Sequence, residues 1–304
     1  MSRTAFVFPG QGSQYVGMGR DFLDVAREMF DRADSTLGYK LSAICFDGPE
    51  EVLRQTEHTQ PAIFLHSLVA AAQVRHVKAD MVAGHSLGEY SALVHAGVLS
   101  FEDGLRIVRL RGQLMQKTGN EQKGTMAAVV GLSMEVLEEI CDKASTDGIV
   151  QPANFNSPGQ IVISGSDAGV HKAMTMAKER GAKLVKELVV SGAFHSPLMQ
   201  SATDGLREAL AQAPMKDATI PVYANVTAEP VTRAEDIRDL LCRQITSPVR
   251  WEQTVRSLIR DGATSILEIG PGKVLQGLVK RTDAGIETKG IDKRTDLPSP
   301  KEKV

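Results

Sequence analysis

Met81-Val82-Ala83-Gly84-His85-Ser86-Leu87-Gly88-Glu89-Tyr90-Ser91-Ala92-Leu93-Val94-His95-Ala96 is the stretch whose reading decides the fold. A short apolar strand runs into Gly84-His85-Ser86-Leu87-Gly88, which fits the G-x-S-x-G nucleophile elbow, and a helix-patterned run follows. In such an elbow the flanking glycines permit a sharp strand-to-helix turn that exposes the serine hydroxyl. The serine then lies at a positive helix N-terminus, with a backbone N–H available to an oxyanion. A serine helix cap between two glycines would read the same. The strand before it and the helix after it favour the nucleophile.

Two further strands ending in glycine-rich turns accompany this one: Thr4 to Phe8 before Pro9-Gly10-Gln11-Gly12, and Ser265 to Ile269 before Gly270-Pro271-Gly272. Short strands feeding turns and then helices imply an α/β fold with a mainly parallel, hydrolase-like sheet, whose sites form at the carboxyl ends of its strands. From Thr125 the rhythm changes. Strands are expected at Thr125–Leu132, Ile149–Asn154, Gln160–Ser164 and Lys183–Val189, with helices at Met134–Ser145 and Asp167–Arg180. That βαββαβ order is a ferredoxin-like unit, so residues 1–124 and 191–290 are expected to form the core and 125–190 an inserted small domain. The polar segment 291–304 has little to bury and is expected to be a disordered tail.

Composition narrows the function classes. The 304 residues are 42% hydrophobic and 24% charged, as in an ordinary globular protein. With 35 Lys+Arg against 37 Asp+Glu there is no basic field to hold a phosphate backbone, which argues against nucleic acid as a partner. Cys45, Cys141 and Cys242 have no metal-ligand or disulfide spacing. The N-terminal apolar run is too short for a signal segment, and the longest apolar stretch, Pro61 to Val74, is interrupted by polar residues. The expectation is a cytoplasmic protein without membrane contact.

A serine nucleophile needs a base, and seven histidines are candidates. His66 and His95 sit in apolar helical stretches and read as packing residues, whereas His58, His76 and His171 lie in polar settings. His195, in Ser191-Gly192-Ala193-Phe194-His195-Ser196-Pro197, follows an apolar strand and precedes a helix that Pro197 could start. Arg111 is distinctive for another reason. In the helix capped by Ser100, its neighbours three and four residues away are Ile107, Val108, Leu114 and Met115, so it lies on the buried stripe while Arg106 and Arg109 lie on the polar side. By itself such an arginine either buries its stem and snorkels or pairs with an internal carboxylate.

Taken together, Phe8-Pro9-Gly10-Gln11-Gly12-Ser13-Gln14, Gly84-His85-Ser86-Leu87-Gly88-Glu89 and Gly192-Ala193-Phe194-His195-Ser196 resemble the motifs of malonyl-CoA:acyl carrier protein transacylases. Asn154-Phe155-Asn156-Ser157-Pro158-Gly159-Gln160, Arg243-Gln244-Ile245-Thr246-Ser247-Pro248-Val249-Arg250-Trp251 and Glu268-Ile269-Gly270-Pro271-Gly272 extend the match to about residue 290. The resemblance implies Ser86 as nucleophile, His195 as general base and the Gln244 backbone carbonyl as the group that orients His195. It also implies the Gln11 and Leu87 backbone N–H groups as an oxyanion hole, and Arg111 as the bidentate partner of the malonyl carboxylate. Gln60 and His85 are expected to line the substrate pocket.

The implied reaction is a ping-pong transfer through a malonyl-serine, with malonyl-CoA and acyl carrier protein as partners and no bound cofactor. The CoA thioester is a substrate, and phosphopantetheine arrives on the carrier. The product feeds fatty acid or, alternatively, polyketide synthesis. Lys183, Lys186, Lys273, Lys280 and Arg281 are candidates for meeting an acidic carrier. A plain esterase shares the elbow but places its histidine late in the chain, unlike His195. A catalytically silent docking member of the same fold is the other reading. Gly270-Pro271-Gly272-Lys273 lacks the frame of a phosphate loop and is expected to be a strand-helix turn.

Overall fold

The computed structural model describes residues 3–297. The strands are β1 (Thr4–Phe8), β2 (Met81–Gly84), β3 (Thr125–Val130), β4 (Val150–Ser157), β5 (Gln160–Gly165), β6 (Leu184–Glu187), β7 (Val222–Tyr223), β8 (Pro230–Val231), β9 (Ser265–Ile269) and β10 (Glu287–Ile291). They form a six-stranded sheet of order β10-β9-β1-β2-β7-β8 and a four-stranded sheet of order β4-β5-β3-β6. In the first, all pairs are parallel except β7 with β8. This is the α/β architecture expected from the sequence.

Strand β1 is buried at every position because helices cover both faces of the sheet. Phe6 and Phe8 point into the larger core, while Ala5 and Val7 point into a second core with Trp251, Val255 and Leu258. The period of two thus serves two cores at once. Helix Thr56–Gln73 is buried on all sides from Thr59 to Ala71 and forms the centre of the larger core.

The helix begins at Thr56, so Pro61 lies inside it. A proline in the sixth position would leave the Glu57 carbonyl without its helical donor. Arg109 Nη1 donates to that carbonyl at 2.7 Å instead.

In the smaller sheet β3 pairs antiparallel with β5 and β6, and β4 with β5, the strand order of a ferredoxin-like unit. Ala127 and Val129 pack against helices Met134–Ala144 and Asp167–Glu179, while Met126, on the opposite face, joins the larger core. Strand β4 begins at Val150 and extends to Ser157, further than the expected Asn154, because it is stitched to the other unit. Phe155 N donates to Val249 O at 2.9 Å and Val249 N to Ala153 O at 2.8 Å.

Part of the tail is ordered, contrary to expectation. Ile291 is buried at the end of β10, Tyr15 donates to Asp292 Oδ1 at 2.9 Å, and residues Arg294–Asp296 form a 3-10 turn. Hydrogen bonds hold this polar segment where apolar burial could not. The remainder, 298–304, lies outside the described residues. Among the described residues no helix is long and apolar enough to cross a membrane.

Candidate active site

The elbow forms between β2 and helix Gly88–His95, and its two glycines work by close approach. A Cβ on Gly84 would stand 1.9 Å from the Gly88 carbonyl carbon, and one on Gly88 2.0 Å from Phe8 O. The left-handed conformation falls on Ser86 itself, with φ 51°. Such a backbone costs a non-glycine residue about 1–2 kcal/mol. Asn225, just after β7, holds it: Ser86 N donates to Asn225 Oδ1 at 2.7 Å, and Asn225 Nδ2 donates to Gly84 O at 2.6 Å.

His195 also has a left-handed backbone, φ 57°, in the loop after the smaller sheet. The Ser86 hydroxyl meets His195 Nε2 at 2.8 Å, and His195 Nδ1 meets the Gln244 backbone carbonyl at 2.9 Å. That carbonyl is an acceptor only, so Nδ1 carries the proton and Nε2 is left to accept from Ser86. Gln151 Nε2 donates to His195 O at 2.8 Å and ties the loop to β4. Burial, and secondarily the Arg111 charge, push the His195 imidazole down to about 3. It is therefore neutral across the ordinary pH range.

Arg111 is fully buried in helix Phe101–Glu121, whose N-cap Ser100 Oγ accepts from Asp103 N at 3.0 Å. Its Nη1 donates to Gln60 Oε1 at 2.7 Å; its Nη2 donates to Ser86 Oγ and to Gln244 Oε1, both at 3.0 Å. Its Nε has no acceptor among the described residues, and the guanidinium stands over the Tyr90 ring at 5.6 Å. A cation held by neutral amides, with one donor unspent, can receive a carboxylate.

Ser86, Arg111, His195, Gln11, Leu87, His85 and Gln60 line one cavity of about 140 Å³, closed by Met115, Met126, Leu188, Val190 and Phe194. Gln244 stands behind it, reaching His195 and Arg111 together. Gln11 lies at the rim, its side chain donating to Thr56 Oγ1 at 3.2 Å. His85 Nε2 is 2.9 Å from Asn156 Oδ1, and its ring lies against Trp251. A second cavity of about 240 Å³ shares Gln11, His85, Asn154 and Leu188 with the first and runs between the two sheets toward Val274.

The remaining histidines take ordinary positions. His66 is buried against the Asp292 carbonyl at 2.9 Å, and His95 packs on Phe6 and Phe8. The turn at Gly270-Pro271-Gly272 is no phosphate site: Glu268 occupies the following helix N-terminus, accepting from Leu275 N and Gln276 N at 3.0 Å.

Sequence reasoning missed Asn225 and Glu89. Asn225 follows a two-residue strand too short to leave a periodic signal. Glu89 stands in the first turn of its helix, and it is only 2% exposed.

Residues 5–298 match the acyl transferase domain family. The malonyl CoA-acyl carrier protein transacylase of Bacillus subtilis is 47% identical over 95% of this chain and 93% of its own. Among solved structures, the acyl-carrier-protein S-malonyltransferase of Burkholderia pseudomallei is 43% identical, with a TM-score of 0.93 and 97% of each chain covered. A malonyl-transacylase in complex with its type II PKS acyl-carrier protein is 40% identical, with a TM-score of 0.94 and 97% of each chain covered. A glycine-flanked serine facing a histidine and a buried arginine lies on a fold shared along nearly the whole chain with these enzymes, and the comparisons give the assignment: the chain belongs to the malonyl-CoA:acyl carrier protein transacylase family of acyl transferases.

Proposed function

We propose that the protein moves a malonyl group from malonyl-CoA to the phosphopantetheine thiol of acyl carrier protein through a malonyl-Ser86 ester. The observation that carries this reading is the Ser86 hydroxyl, 2.8 Å from His195 Nε2 and 3.0 Å from Arg111 Nη2, so that one oxygen meets both a base and a cation. His195 Nε2 takes the Ser86 proton as Oγ attacks the thioester carbonyl. The backbone N–H groups of Gln11 and Leu87 receive the oxyanion. As the carbon–sulfur bond breaks, the proton passes from His195 to the departing CoA sulfur. In the second half His195 takes the pantetheine thiol proton, the sulfur attacks the ester, and the proton returns to Ser86 Oγ.

Arg111 binds the malonyl carboxylate and, in doing so, changes the base. Its charge is one reason, after burial, that His195 holds a proton so weakly. A carboxylate seated on the guanidinium cancels that charge and raises the basicity of His195, so the anionic acyl group promotes activation of its own acceptor. The delivered malonyl group feeds fatty acid synthesis, with polyketide synthesis the alternative destination. Initial rates with malonyl-CoA and holo carrier varied together test the sequence of steps. Parallel double-reciprocal lines are expected; intersecting lines would require a ternary complex and exclude the ester intermediate.

A further inference from the structure

The Ser86–His195 pair lacks an anion at its third position, where the Gln244 carbonyl stands. Such a carbonyl fixes the imidazole tautomer but stabilises an imidazolium less than a carboxylate would. A buried carboxylate nevertheless lies one residue away in the hydrogen-bond network. Glu89 Oε2 accepts from Gln244 Nε2 at 2.9 Å and from Asn225 N at 3.0 Å. Gln244 Nε2 also donates to Ser86 O at 3.0 Å, and Gln244 Oε1 accepts from Arg111.

Glu89 therefore touches the two residues that shape the elbow and the base. Asn225 holds the left-handed Ser86 backbone, and Gln244 holds His195 through its main chain. The carboxylate also dictates the orientation of the Gln244 amide: facing an acceptor, it must turn its nitrogen to Glu89 and its oxygen to Arg111.

Resting on the reading of Ser86 and His195 given above, we propose that Glu89 is a positioning residue of the transfer reaction: it holds the Gln244 side chain, and in its ionised form it places a negative charge against the residue whose main chain orients His195. The groups facing this carboxylate are few. Arg111 faces it from helix Phe101–Glu121, Tyr90 follows it on its own helix, and His195 lies beyond the Gln244 carbonyl. Arg111 and the two donated hydrogen bonds favour the charged form, but burial outweighs them and pushes the carboxyl up to about 7.

The sign of the effect follows. Above neutrality Glu89 is an anion and assists formation of the His195 imidazolium; below it Glu89 is neutral and that assistance is lost. The folded carboxyl titrates above its ordinary value of 4.5, so ionisation lowers stability as pH rises from there through about 7. E89Q keeps an acceptor oxygen for Gln244 and Asn225 but carries no charge. It should melt no lower than the parent at pH 8.

The test is kcat/KM for malonyl loading of the full chain by malonyl-CoA between pH 5.5 and 8.5, a quantity that reports free-enzyme ionisations. The parent-to-E89Q ratio should climb from about one at the acid end to roughly tenfold at the alkaline end, since the variant mimics protonated Glu89. A ratio independent of pH, whatever its size, would overturn the proposal, because a merely structural contact has no reason to titrate. Should E89Q fail to fold, E89D withdraws the charge by one methylene and must move the neutral midpoint of the parent profile; an unmoved midpoint overturns it equally. Failure of the underlying reading looks different: the parent itself would form no malonyl adduct at any pH.

Discussion

At the residue scale, three side chains meet at one oxygen, the Ser86 hydroxyl. Removing the guanidinium in R111A should lower malonyl loading sharply, by about 2–5 kcal/mol in transition-state terms, because a charged hydrogen-bonding partner is lost. Acetyl loading should suffer much less, and its pH profile should show a more basic His195 once the neighbouring charge is gone. Loading with both thioesters alongside thermal melting checks this: an unchanged malonyl-to-acetyl ratio with a lowered melting temperature would make Arg111 a structural residue. At Ser86 the left-handed backbone makes a second prediction. S86G should melt above S86A by about 1 kcal/mol of stability, since only glycine adopts that φ without strain. Equal stabilities would mean that Asn225 imposes no strain there.

Ser86, His195 and Arg111 were legible in the sequence because each sits in an unusual local pattern: a glycine-flanked turn, a strand-end loop, and a cation on an apolar helical stripe. Gln244 and Gln11 were legible only by resemblance, since the chemistry proposed for them uses backbone atoms that every residue carries. Glu89 and Asn225 were not legible at all. Their importance lies in long-range contacts, Glu89 to Gln244 and Asn225 to Ser86, for which local sequence has no signal.

At the element scale the elbow is a packing device. Helix Gly88–His95 approaches β1 so closely that only hydrogen fits at Gly88. G88A should therefore destabilise the fold by several kcal/mol and abolish loading, since neither Phe8 O nor the elbow backbone can move aside as a flexible side chain would. A G88A protein that melts like the parent would show that the helix can slide away from the strand. Element types followed from hydrophobic period, and β1 and β9 match the residues expected. The ends that differed did so where tertiary contacts intervene: β4 is prolonged by its pairing with Val249, and the helix through Pro61 is tolerated because Arg109 satisfies the stranded carbonyl.

At the scale of the whole molecule we read the chain as a hydrolase-like core, 1–124 and 191–290, carrying 125–190 as an inserted domain. The insert contributes Met126, Asn154 and Leu188 to the cavity wall, and the core contributes Ser86, Arg111 and His195, so the site needs both. The ladder at Val249 fixes the insert to the core close to Gln244. Intact-mass measurement after brief mixing with malonyl-CoA tests whether this shared cavity forms a covalent malonyl-Ser86 ester. The expected result is one malonyl group per parent chain, its disappearance on addition of holo carrier protein, and no adduct on a folded S86A variant. An undiminished adduct on S86A, or none on the parent, would contradict it.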